Sequence, residues 1–458
     1  MSPRTVGVID IGKSNAKFAV VDIESRSEIA VRKMPNVVLR DGPYPHYDIA
    51  TLWDFLCSSI ADLNREHSLD DLSVTTHGAS AALIDADGEL TMPVLDYEFP
   101  GPDELAAEYD AVRPDFSESF TPRLPAGLNL GAQLFWQARR FPEAFARTRW
   151  ILPYPQYWSH RLSGVAASEI TSLGCHTDLW NFETDLYSSL VLRQSWLEKM
   201  PEVRPASDVL GLVLPGLAER LGLRANVPIH SGIHDSNASL LPHLLEREPP
   251  FSVVSTGTWV IVCTPGGNLS RLDPERDCLA NLDAFGRAVP SARFMGGREF
   301  SQLCGEEPIS PHETAIARVL EEPIVLLPSI TEGSGPFPHR KGHWNKPAHT
   351  IDKETGFVGV SFYLAMMTAE CLDLTGAEGD VVVEGPFTAN RLYLQMLSSA
   401  TSRRVVAMTG SATGTSIGAA LLARSAAGVV PPAPHQIVAG SPEMALYAQR
   451  WREIVAQG

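Results

Sequence analysis

The sequence lacks several features that would place it in a specialised class of proteins. It contains no apolar run of about 18 residues, the length that a membrane-spanning helix needs. Basic residues are in the minority, with 37 Lys and Arg against 54 Asp and Glu, and the formal net charge is −17. Nucleic-acid-binding proteins normally show an excess of basic residues on one face. We therefore expect neither a membrane protein nor a nucleic-acid-binding protein.

Cysteine is also scarce. The six cysteines (Cys57, Cys175, Cys263, Cys278, Cys304 and Cys371) are scattered and show no paired metal-ligand spacing. This pattern indicates reduced, mostly buried thiols. The chain enters a strand pattern near its first residues without the pattern of a signal peptide. Together these features predict a cytoplasmic protein.

The length of the chain predicts two domains. At 458 residues it exceeds what one hydrophobic core usually supports, and its hydrophobic content of 44% is ordinary for a globular protein. A charged, Pro-containing stretch at 246–250 is the best candidate for the boundary. We therefore predict domains at 1–246 and 247–458.

Two glycine-containing turns, one in each predicted domain, are each flanked by apolar strand sequence. They lie within 6–22 and 251–263 and read as β-hairpins. We expect glycine there because the backbone adopts positive φ or closely approaches a ligand. Turns of this kind aim backbone N–H groups at phosphate oxygens. Taken singly, each turn is more typical of a plain hairpin; together they predict a cleft that holds a polyphosphate from both sides.

The order of predicted elements is similar in the two halves. In the first half we predict strands at 5–11, 15–23 and 28–34, a helix at 49–66, a strand at 72–76 and a hairpin at 81–90. In the second half we predict the hairpin at 251–263, helices at 359–374, 390–401 and 415–426, and strands at 381–385 and 405–408. This repetition predicts a duplicated α/β domain.

Several segments resemble, in order, those of the FGGY family of carbohydrate kinases. They are 10–17, 130–164, 232–238, 255–259 and 384–421. The resemblance implies an α/β fold of two ribonuclease-H-like lobes, as in the actin, Hsp70 and sugar kinase superfamily, with ATP in an interlobe cleft. His234-Asp235, where many members have Gly-Asp, is similar to the rhamnulokinase and fuculokinase branches. The implied activity is ATP- and magnesium-dependent phosphorylation of a ketose such as rhamnulose or fuculose.

Asp235 is the candidate general base. It follows a predicted strand and precedes a small-residue helix, so it should lie at a strand end. A carboxylate accepts a proton from a hydroxyl as the O–P bond forms. The alternative is that Asp235 only caps the following helix. Asp10, at the end of the first strand, is the candidate magnesium-organising residue together with Asp235.

The resemblance assigns further residues to the nucleotide and the sugar. The candidate phosphate and nucleotide residues are Gly12, Lys13, Ser14, Asn15, Lys17, Thr256, Gly257, Thr258, Gly296, Gly297, Gly385, Pro386 and Asn390. The small residues Gly414, Ser416, Gly418 and Ala419 are expected to leave room for the base beside Gly385. The candidate sugar residues are His77, Gly78, Asp96, Tyr97, Glu98, His234 and Asp235. The register of the loop at 93–98 is ambiguous, and a surface loop is an equal alternative there.

Two other functions stay open. Lys13, Gln133 and the absence of an arginine after Tyr97 depart from the family pattern, which favours a non-catalytic sugar- or nucleotide-binding regulator. An actin-like or Hsp70-like ATPase should lack the segment at 130–164. The histidine pairs His230/His234 and His339/His343 have no obvious third ligand, so we predict no zinc site. The expected partners are a sugar and ATP, and the sequence leaves a homodimer open.

Overall fold

The computed structural model describes residues 4–305, 309–409, 414–424 and 435–457, which form two compact units. The first unit comprises Met1–Glu246 together with Ala280–Ala288 and Ser411–Pro431. The second unit comprises Arg247–Leu279, Val289–Gly410 and Pro432–Gly458. The chain therefore returns to the first unit twice. The predicted domains, 1–246 and 247–458, therefore assign Ala280–Ala288 and Ser411–Pro431 to the second domain, whereas they belong to the first unit.

The secondary structure of residues 4–246 is dominated by short strands and helices. The strands are β1 (Thr5–Ile11), β2 (Asn15–Asp22), β3 (Ser27–Pro35), β4 (Val38–Leu39), β5 (His46–Tyr47), β6 (Asp71–Thr76), β7 (Ala81–Ile84), β8 (Trp150–Pro153), β9 (Ser168–Glu169), β10 (Trp180–Asn181), β11 (Leu186–Tyr187), β12 (Val203–Arg204), β13 (Val209–Leu212), β14 (Pro228–His230) and β15 (Ile233–His234). The helices are α1 (Ile49–His67), α2 (Ala106–Asp110), α3 (Phe116–Ser119), α4 (Leu130–Arg140), α5 (Pro142–Arg147), α6 (Tyr154–Ser163), α7 (Ile170–Leu173), α8 (Ser189–Arg193), α9 (Pro215–Leu221) and α10 (Asp235–Glu246), with 3-10 turns at Gly101–Leu105 and Leu197–Lys199.

The main sheet of the first unit has the strand order β13-β14-β6-β1-β2-β3, and β15 also pairs with β6. β1 is antiparallel to β2 but parallel to β6, and β15 is parallel to β6 as well. The carboxyl ends of β1, β6 and β15 therefore meet at one edge of the sheet. Residues that follow or end these strands, including Asp10, His77 and Asp235, are brought together there, as ligand-binding residues are in other α/β sheets.

Helix α1 covers one face of this sheet. The Asp48 side chain caps its first turn by accepting a hydrogen bond from the Thr51 N–H at 3.0 Å. Its apolar residues recur at helical spacing and are buried in the same cluster as β1, β2 and β6: Leu52, Leu56, Ile60 and Leu63. Burial of this stripe holds the helix on the sheet and keeps the strand ends in place.

The predicted hairpin at 81–90 is only partly correct. β7 pairs along its length with β8 rather than with the residues that follow it, and Leu90 forms an isolated bridge to Ile84. Gly88 does form a turn, with φ +84°. The sequence pattern identified the turn but not the distant strand that completes the pairing.

The secondary structure of residues 247–457 is described in the same way. The strands are β16 (Phe251–Thr256), β17 (Val260–Cys263), β18 (Cys278–Leu282), β19 (Ala288–Phe294), β20 (Asp380–Glu384), β21 (Val405–Met408) and β22 (His435–Val438). The helices are α11 (Gly296–Cys304), α12 (Glu313–Glu321), α13 (Lys353–Leu374), α14 (Arg391–Thr401), α15 (Thr415–Leu421) and α16 (Pro442–Gln457), with 3-10 turns at Leu269–Arg271, Pro274–Arg276, Ala348–Thr350 and Pro386–Ala389.

The second large sheet has the order β18-β19-β17-β16-β20-β21-β22. β16 is antiparallel to β17 and parallel to β20, and Ser255 lies opposite Glu384. The turn after β16 and the segment after β20 consequently lie at the same edge of this sheet. A cavity of the second unit lies at this edge.

Among the described residues, α13 is the one helix long and apolar enough to cross a membrane by length and composition. However, 83% of its most apolar window is buried within the protein. Burial to this extent is what a core helix of a globular domain shows, since a helix that is apolar all round needs neighbours on every side.

Helix α15 belongs to the first unit, not to the second as its position in the sequence suggested. It packs closely on α10, because a Cβ atom on Gly418 would lie 1.7 Å from the Ala238 carbonyl oxygen. Only glycine permits this approach of the two backbones. The expectation that Gly418 leaves room for the adenine base is therefore wrong, whereas for Gly414, where a Cβ would have no atom within 4 Å, it stays a prediction.

Candidate active site

Asp10 is the centre of a polar cluster at the end of β1. Its Oδ2 atom accepts hydrogen bonds from the hydroxyls of Thr415 and Ser416, the latter at 2.8 Å, and lies 3.1 Å from the Lys17 ammonium. The carboxylate is largely buried. These partners fix its orientation, and α15 supplies two of them. Ser416 thus contacts Asp10, which the sequence analysis did not foresee.

Lys17 is held in an ion-pair network. Besides Asp10, its ammonium contacts Glu28 Oε1 at 2.8 Å. Burial acts to lower the pKa of Lys17, but the charges and hydrogen bonds of the two carboxylates outweigh it and raise the pKa above its usual value. Lys17 is therefore a fixed positive charge beside Asp10, and its predicted contact with phosphate stays a prediction.

The turn between β1 and β2 is open around Gly12. The Gly12 N–H donates to the Asn15 carbonyl at 2.9 Å, and the Asn36 amide donates to the Gly12 carbonyl at 2.9 Å. Ser14 and Asn15 are exposed. Gly12 does not have positive φ, and a Cβ there would make only an ordinary contact at 3.5 Å. Positive φ is therefore not the reason for glycine at position 12. Close approach of a ligand is the other expected reason, and this geometry is compatible with it.

Lys13 points to the candidate sugar loop. Its ammonium forms an ion pair with Asp96, lies 3.2 Å from Glu98 Oε2 and is 4.7 Å from the centre of the Tyr97 ring. Asp96 is buried, whereas Glu98 is exposed. The register of this loop is thus resolved in favour of Asp96 as the inward carboxylate. In this structure Lys13 neutralises that carboxylate, and its contact with a γ-phosphate stays a prediction.

His77 is enclosed by three tyrosine rings. Its ring centre lies 5.1 Å from Tyr47, 5.3 Å from Tyr97 and 5.1 Å from Tyr154. Nδ1 lies 2.8 Å from the Gly78 carbonyl, and burial lowers the pKa of His77 to about 4. The imidazole is therefore neutral, with its N–H on Nδ1. The buried Nε2 has no hydrogen-bond partner among the described residues, so it can accept a hydrogen bond from a ligand hydroxyl.

Asp235 begins α10 at the same edge of the sheet. Its Oδ1 accepts a hydrogen bond from the Ser236 N–H at 2.6 Å and lies 3.2 Å from His234 Nε2. Desolvation raises the pKa of Asp235 to about 6; the charge of Asp10 adds to the rise, and His77 opposes it. The side chain is 30% exposed, so a small molecule can reach it. A carboxylate with this pKa can cap its helix and also act as a base near neutral pH.

His234 and Gly78 pack against each other beside Asp235. Burial lowers the pKa of His234 to about 4, so this histidine is also neutral. A Cβ on Gly78 would lie 2.6 Å from His234 Nε2. Glycine at position 78 therefore keeps this nitrogen approachable.

Gln133, one of the departures from the family pattern, is a structural residue. Its buried side-chain amide donates to the carbonyls of Ala79 and Gly127. It thereby ties α4 to the loop that follows His77 and Gly78. The departure does not remove a group from the cluster around Asp235.

A cavity of about 760 Å³ lies at the edge of the second sheet. Predicted nucleotide residues that line it are Gly257, Thr258, Gly297, Pro386 and Asn390. Its wall includes Phe300, whose ring centre lies 6.0 Å from that of Phe357 and 5.7 Å from that of Phe387. Arg298 also lines the cavity and supplies a cation. A cavity with aromatic walls and one cation suits a flat base with phosphates.

The other predicted nucleotide residues hold this edge together from behind. Thr256 is buried, donates its hydroxyl to the Glu384 carbonyl at 2.6 Å and accepts from the Phe387 N–H at 3.0 Å. Gly385 has φ +84°, and a Cβ there would lie 2.0 Å from the Thr256 carbonyl oxygen. A Cβ on Gly296 would come within 2.6 Å of Val260. These three residues do not line the cavity.

Several residues of both clusters were missed by sequence reasoning. Tyr154 and Phe387 lie within the segments that resemble the family but were not singled out, and Tyr47, Arg298, Phe300 and Phe357 lie outside those segments. One available signal was the Gly296-Gly297 pair directly before an amphipathic segment, since the first turn of that helix carries Arg298.

Models of one enzyme family match both parts of the chain. "FGGY family of carbohydrate kinases, N-terminal domain" matches residues 5–242, and "Carbohydrate kinase FGGY, C-terminal domain" matches residues 248–431. The chain belongs to the FGGY family of carbohydrate kinases. The predicted family and the predicted α/β fold of the sugar kinase, actin and Hsp70 superfamily are both confirmed, as is the phosphotransferase class.

Individual relatives agree with the family. A carbohydrate kinase from Novosphingobium aromaticivorans, known from its crystal structure, is 33% identical with a TM-score of 0.90, over 98% of this chain and 100% of that chain. L-Fuculokinase from Salmonella typhi is 25% identical over 59% of this chain, a match that spans only 58% of the fuculokinase. Xylulose kinase from Escherichia coli (strain K12) is 23% identical over 92% of this chain and 89% of its own.

Proposed function

We propose that this protein transfers the γ-phosphoryl group of ATP to a hydroxyl of a monosaccharide, with Asp235 as general base. The observation that carries the proposal is the pairing of Asp235, whose pKa is raised to about 6, with the neutral His77, whose buried Nε2 has no described partner. One group can remove a proton from a hydroxyl, and the other can orient that sugar by accepting a hydrogen bond.

In the proposed reaction, the residues of the first unit bind and orient the sugar. His77 Nε2 accepts a hydrogen bond from one hydroxyl, and the tyrosine rings around it exclude water. The hydroxyl to be phosphorylated donates to the Asp235 carboxylate. As its oxygen bonds to the γ-phosphorus, the bond from that phosphorus to the β–γ bridging oxygen breaks, and the proton passes to Asp235.

Magnesium fits the carboxylates of the first unit. Asp10 and Asp235 supply the hard oxygen donors that Mg²⁺ prefers. Moreover, the charge of Asp10 raises the pKa of Asp235, a repulsion that a divalent cation would relieve. When bound, the ion neutralises charge on the phosphate oxygens. The Lys17 ammonium, 3.1 Å from Asp10 Oδ2, holds this carboxylate in orientation for that role.

The nucleotide is assigned to the second unit. The cavity beside Gly257 and Gly297 offers aromatic walls for the adenine, and Arg298 offers a cation for the phosphates. The first unit would accordingly bind the sugar, and the second unit would bind ATP.

For the sugar we propose a ketose of the rhamnulose or fuculose type. The support is the His234-Asp235 pair and the similarity to L-fuculokinase. The chain is also similar to a xylulose kinase over most of its length, so the assay must include xylulose. The carboxylates around the site outnumber its two lysines, which favours a neutral sugar over a sugar acid.

A coupled assay of ADP release with a panel of ketoses, aldoses, polyols and sugar acids tests the proposal. We expect sugar-dependent ADP release, greatest with L-rhamnulose or L-fuculose. ADP release equal with and without every sugar would overturn kinase activity. Highest activity with xylulose would overturn only the choice of sugar.

Matched variants test the base. Asp235→Asn keeps the size of the side chain and should lower kcat by about 10²–10⁴-fold, the usual contribution of a general base. Asp87→Asn, in an exposed turn of the same unit, should leave kcat unchanged. Calorimetry should show that Asp235→Asn still binds ATP. Near-normal turnover of Asp235→Asn would show that Asp235 is not the base.

A further inference from the structure

Three metal-ligating side chains converge next to the candidate base. The ligand atoms of Cys175, His176 and His234 all lie within 4.8 Å of one another. Cys175 and His234 are buried, and His176 is half-buried. Thiolate and imidazole are the donors that Zn²⁺ and similar transition-metal cations prefer, whereas Mg²⁺ prefers oxygen. This cluster is therefore chemically distinct from the carboxylates of Asp10 and Asp235.

The backbone brings two consecutive side chains to the same place. Cys175 and His176 lie in the loop after α7, and His176 has φ +43°. A positive φ is uncommon in a residue with a side chain and often marks a functional position. In an extended chain neighbouring side chains point in opposite directions. The left-handed conformation at His176 instead lets both side chains approach His234.

His176 is oriented as a metal-ligating histidine usually is. Its Nδ1 lies 2.9 Å from the Leu128 carbonyl oxygen, so the Nδ1–H donates to that carbonyl and Nε2 carries the lone pair. Metal-bound histidines almost always donate their other N–H to a carbonyl or carboxylate, which fixes the tautomer and the ring.

The surroundings of His234 suit the same role. Its Nδ1 lies 3.4 Å from the side-chain amide of Asn237, which can present its oxygen as acceptor after a flip of the amide. Its Nε2 faces Gly78, where a Cβ would approach to 2.6 Å. A side chain at position 78 would block this nitrogen, and glycine leaves it accessible.

We propose that Cys175, His176 and His234 form a binding site for Zn²⁺ or a cation of similar preference, with water as a fourth ligand. Tetrahedral Zn²⁺ with these donors requires ligand atoms about 3.3–3.6 Å apart. The ligand atoms lie up to 4.8 Å apart, so metal binding requires the side chains to rotate toward one another. The pair His230/His234 is not the site, since His230 faces the Ser207 carbonyl and Asp71.

Metal binding here would act on Asp235. His234 Nε2 lies 3.2 Å from Asp235 Oδ1, so a cation on this nitrogen replaces that contact and adds positive charge beside the base. This consequence rests on the proposed function: Zn²⁺ should inhibit sugar phosphorylation in the wild type and inhibit it much less in His176→Gln.

Cobalt(II) is the direct probe, because its bond to a thiolate absorbs in the near ultraviolet and zinc is spectroscopically silent. The full-length protein is stripped with a chelator, dialysed and titrated with Co²⁺. We expect a thiolate-to-cobalt band that saturates at about one equivalent, as a single site requires, and that added Zn²⁺ abolishes. Cys175→Ser should lose the band, and His176→Gln should weaken Co²⁺ binding by at least about tenfold.

The control variant is Cys304→Ser, a half-buried cysteine of the second unit, which should retain the band. Absence of the band in the wild type, or an unchanged band in Cys175→Ser, would overturn the proposal. Circular dichroism checks that each variant is folded; if Cys175→Ser is not, the result with His176→Gln decides. If the protein phosphorylates sugars but does not bind Co²⁺, only the metal site is overturned. If it binds Co²⁺ but has no kinase activity, only the proposed function is overturned.

Discussion

The surroundings of the Asp235 carboxylate disfavour its negative charge. Desolvation is the largest cause and the nearby Asp10 adds to it, so that the pKa rises to about 6 although His77 and the hydrogen bond from Ser236 oppose the rise. The same surroundings make the carboxylate a stronger base than an exposed aspartate. Stability and reactivity are therefore opposed at this residue, a common situation at active sites.

The first prediction concerns pH. Because the pKa of Asp235 is raised to about 6, the base is lost by protonation as the pH falls through 6. We expect kcat/KM for the sugar to fall about tenfold per pH unit below this value, since kcat/KM reports the free enzyme. The measurement is a pH profile with saturating coupling enzymes. An acidic limb centred near pH 4, as for an ordinary aspartate, would contradict the assignment.

The second prediction concerns stability. A raised carboxyl pKa means that the folded state holds its proton more tightly than the unfolded state, so stability is lost as the pH rises from about 4 to 6 and is not regained above. Asp235→Asn removes this penalty and should stabilise the protein by about 1–2 kcal/mol at pH 8, after allowance for solvent screening of a partly exposed group.

Thermal melts of Asp235→Asn and wild type at pH 8 and pH 5 test this prediction. The gain in Tm should be clear at pH 8 and smaller at pH 5, where the folded wild type is already mostly protonated. A gain that is equal at both values would show that desolvated charge is not its cause.

The third prediction concerns sugar binding. His77→Ala removes the Nε2 acceptor and opens a space between three tyrosine rings. The KM for the sugar should rise at least about tenfold, or 1.4 kcal/mol, with little change in the KM for ATP. His349→Ala, at an exposed position of the second unit, is the control. If KM for ATP rose instead, His77 would not be a sugar residue.

At the scale of single residues, sequence patterns predicted those that end a strand. Asp10, His77 and Asp235 follow apolar runs, and parallel strands bring such positions to one edge. The patterns could not predict Tyr47 and Tyr154, because their positions depend on contacts between distant segments. Lys13 illustrates the same limit: its place in the turn suggested phosphate, but its long side chain reaches the loop of Asp96.

At the scale of elements, α15 connects helix packing to the active site. Its first turn carries Thr415 and Ser416, which bond to Asp10, and Gly418 lies against α10, which begins with Asp235. One short helix therefore holds both candidate carboxylates in place. A substitution that disturbs the packing of α15 on α10 should therefore also disturb its hydrogen bonds to Asp10.

The fourth prediction is that Gly418→Ala both destabilises the protein and lowers kcat. Alanine normally stabilises a helix by about 1 kcal/mol relative to glycine, but here its Cβ would meet the Ala238 carbonyl at 1.7 Å. The helices must separate, and Asp10 loses its partners. Gly216→Ala in α9 has no atom within 4 Å of the new Cβ and should be neutral or stabilising. Equal melting temperatures for the two variants would contradict this account.

Element types were easier to predict from the sequence than element partners. The spacing of apolar residues at 5–11, 49–66 and 251–263 is a local property of the sequence, and the strands and helix that it predicts are present. The pairing of β7 with β8 and the packing of α15 on α10 join segments 66 or more positions apart. No local pattern encodes such contacts, so the hairpin at 81–90 was predicted only partly correctly and α15 was assigned to the wrong unit.

At the scale of the whole molecule, the two units should respond to different ligands. The fifth prediction is that sugar alone slows hydrogen exchange around 75–98 and 233–240, whereas a non-hydrolysable ATP analogue alone slows it around 257–258, 296–305 and 385–391. Exchange followed by mass spectrometry of peptides gives this map. Sugar-dependent protection confined to the second unit would contradict the assignment of the units.

The two returns of the chain to the first unit have a consequence for synthesis on the ribosome. When residue 246 has been made, the growing polypeptide still lacks α15, which covers Ala238 and supplies two hydroxyls to Asp10. The candidate base Asp235 and the carboxylate of Asp10 can therefore reach their final arrangement only after more than nine-tenths of the chain has been translated. A gene split after residue 246 would yield an N-terminal product that cannot complete the cluster around Asp10 and Asp235, so complementation by a separately expressed second half would have to deliver α15.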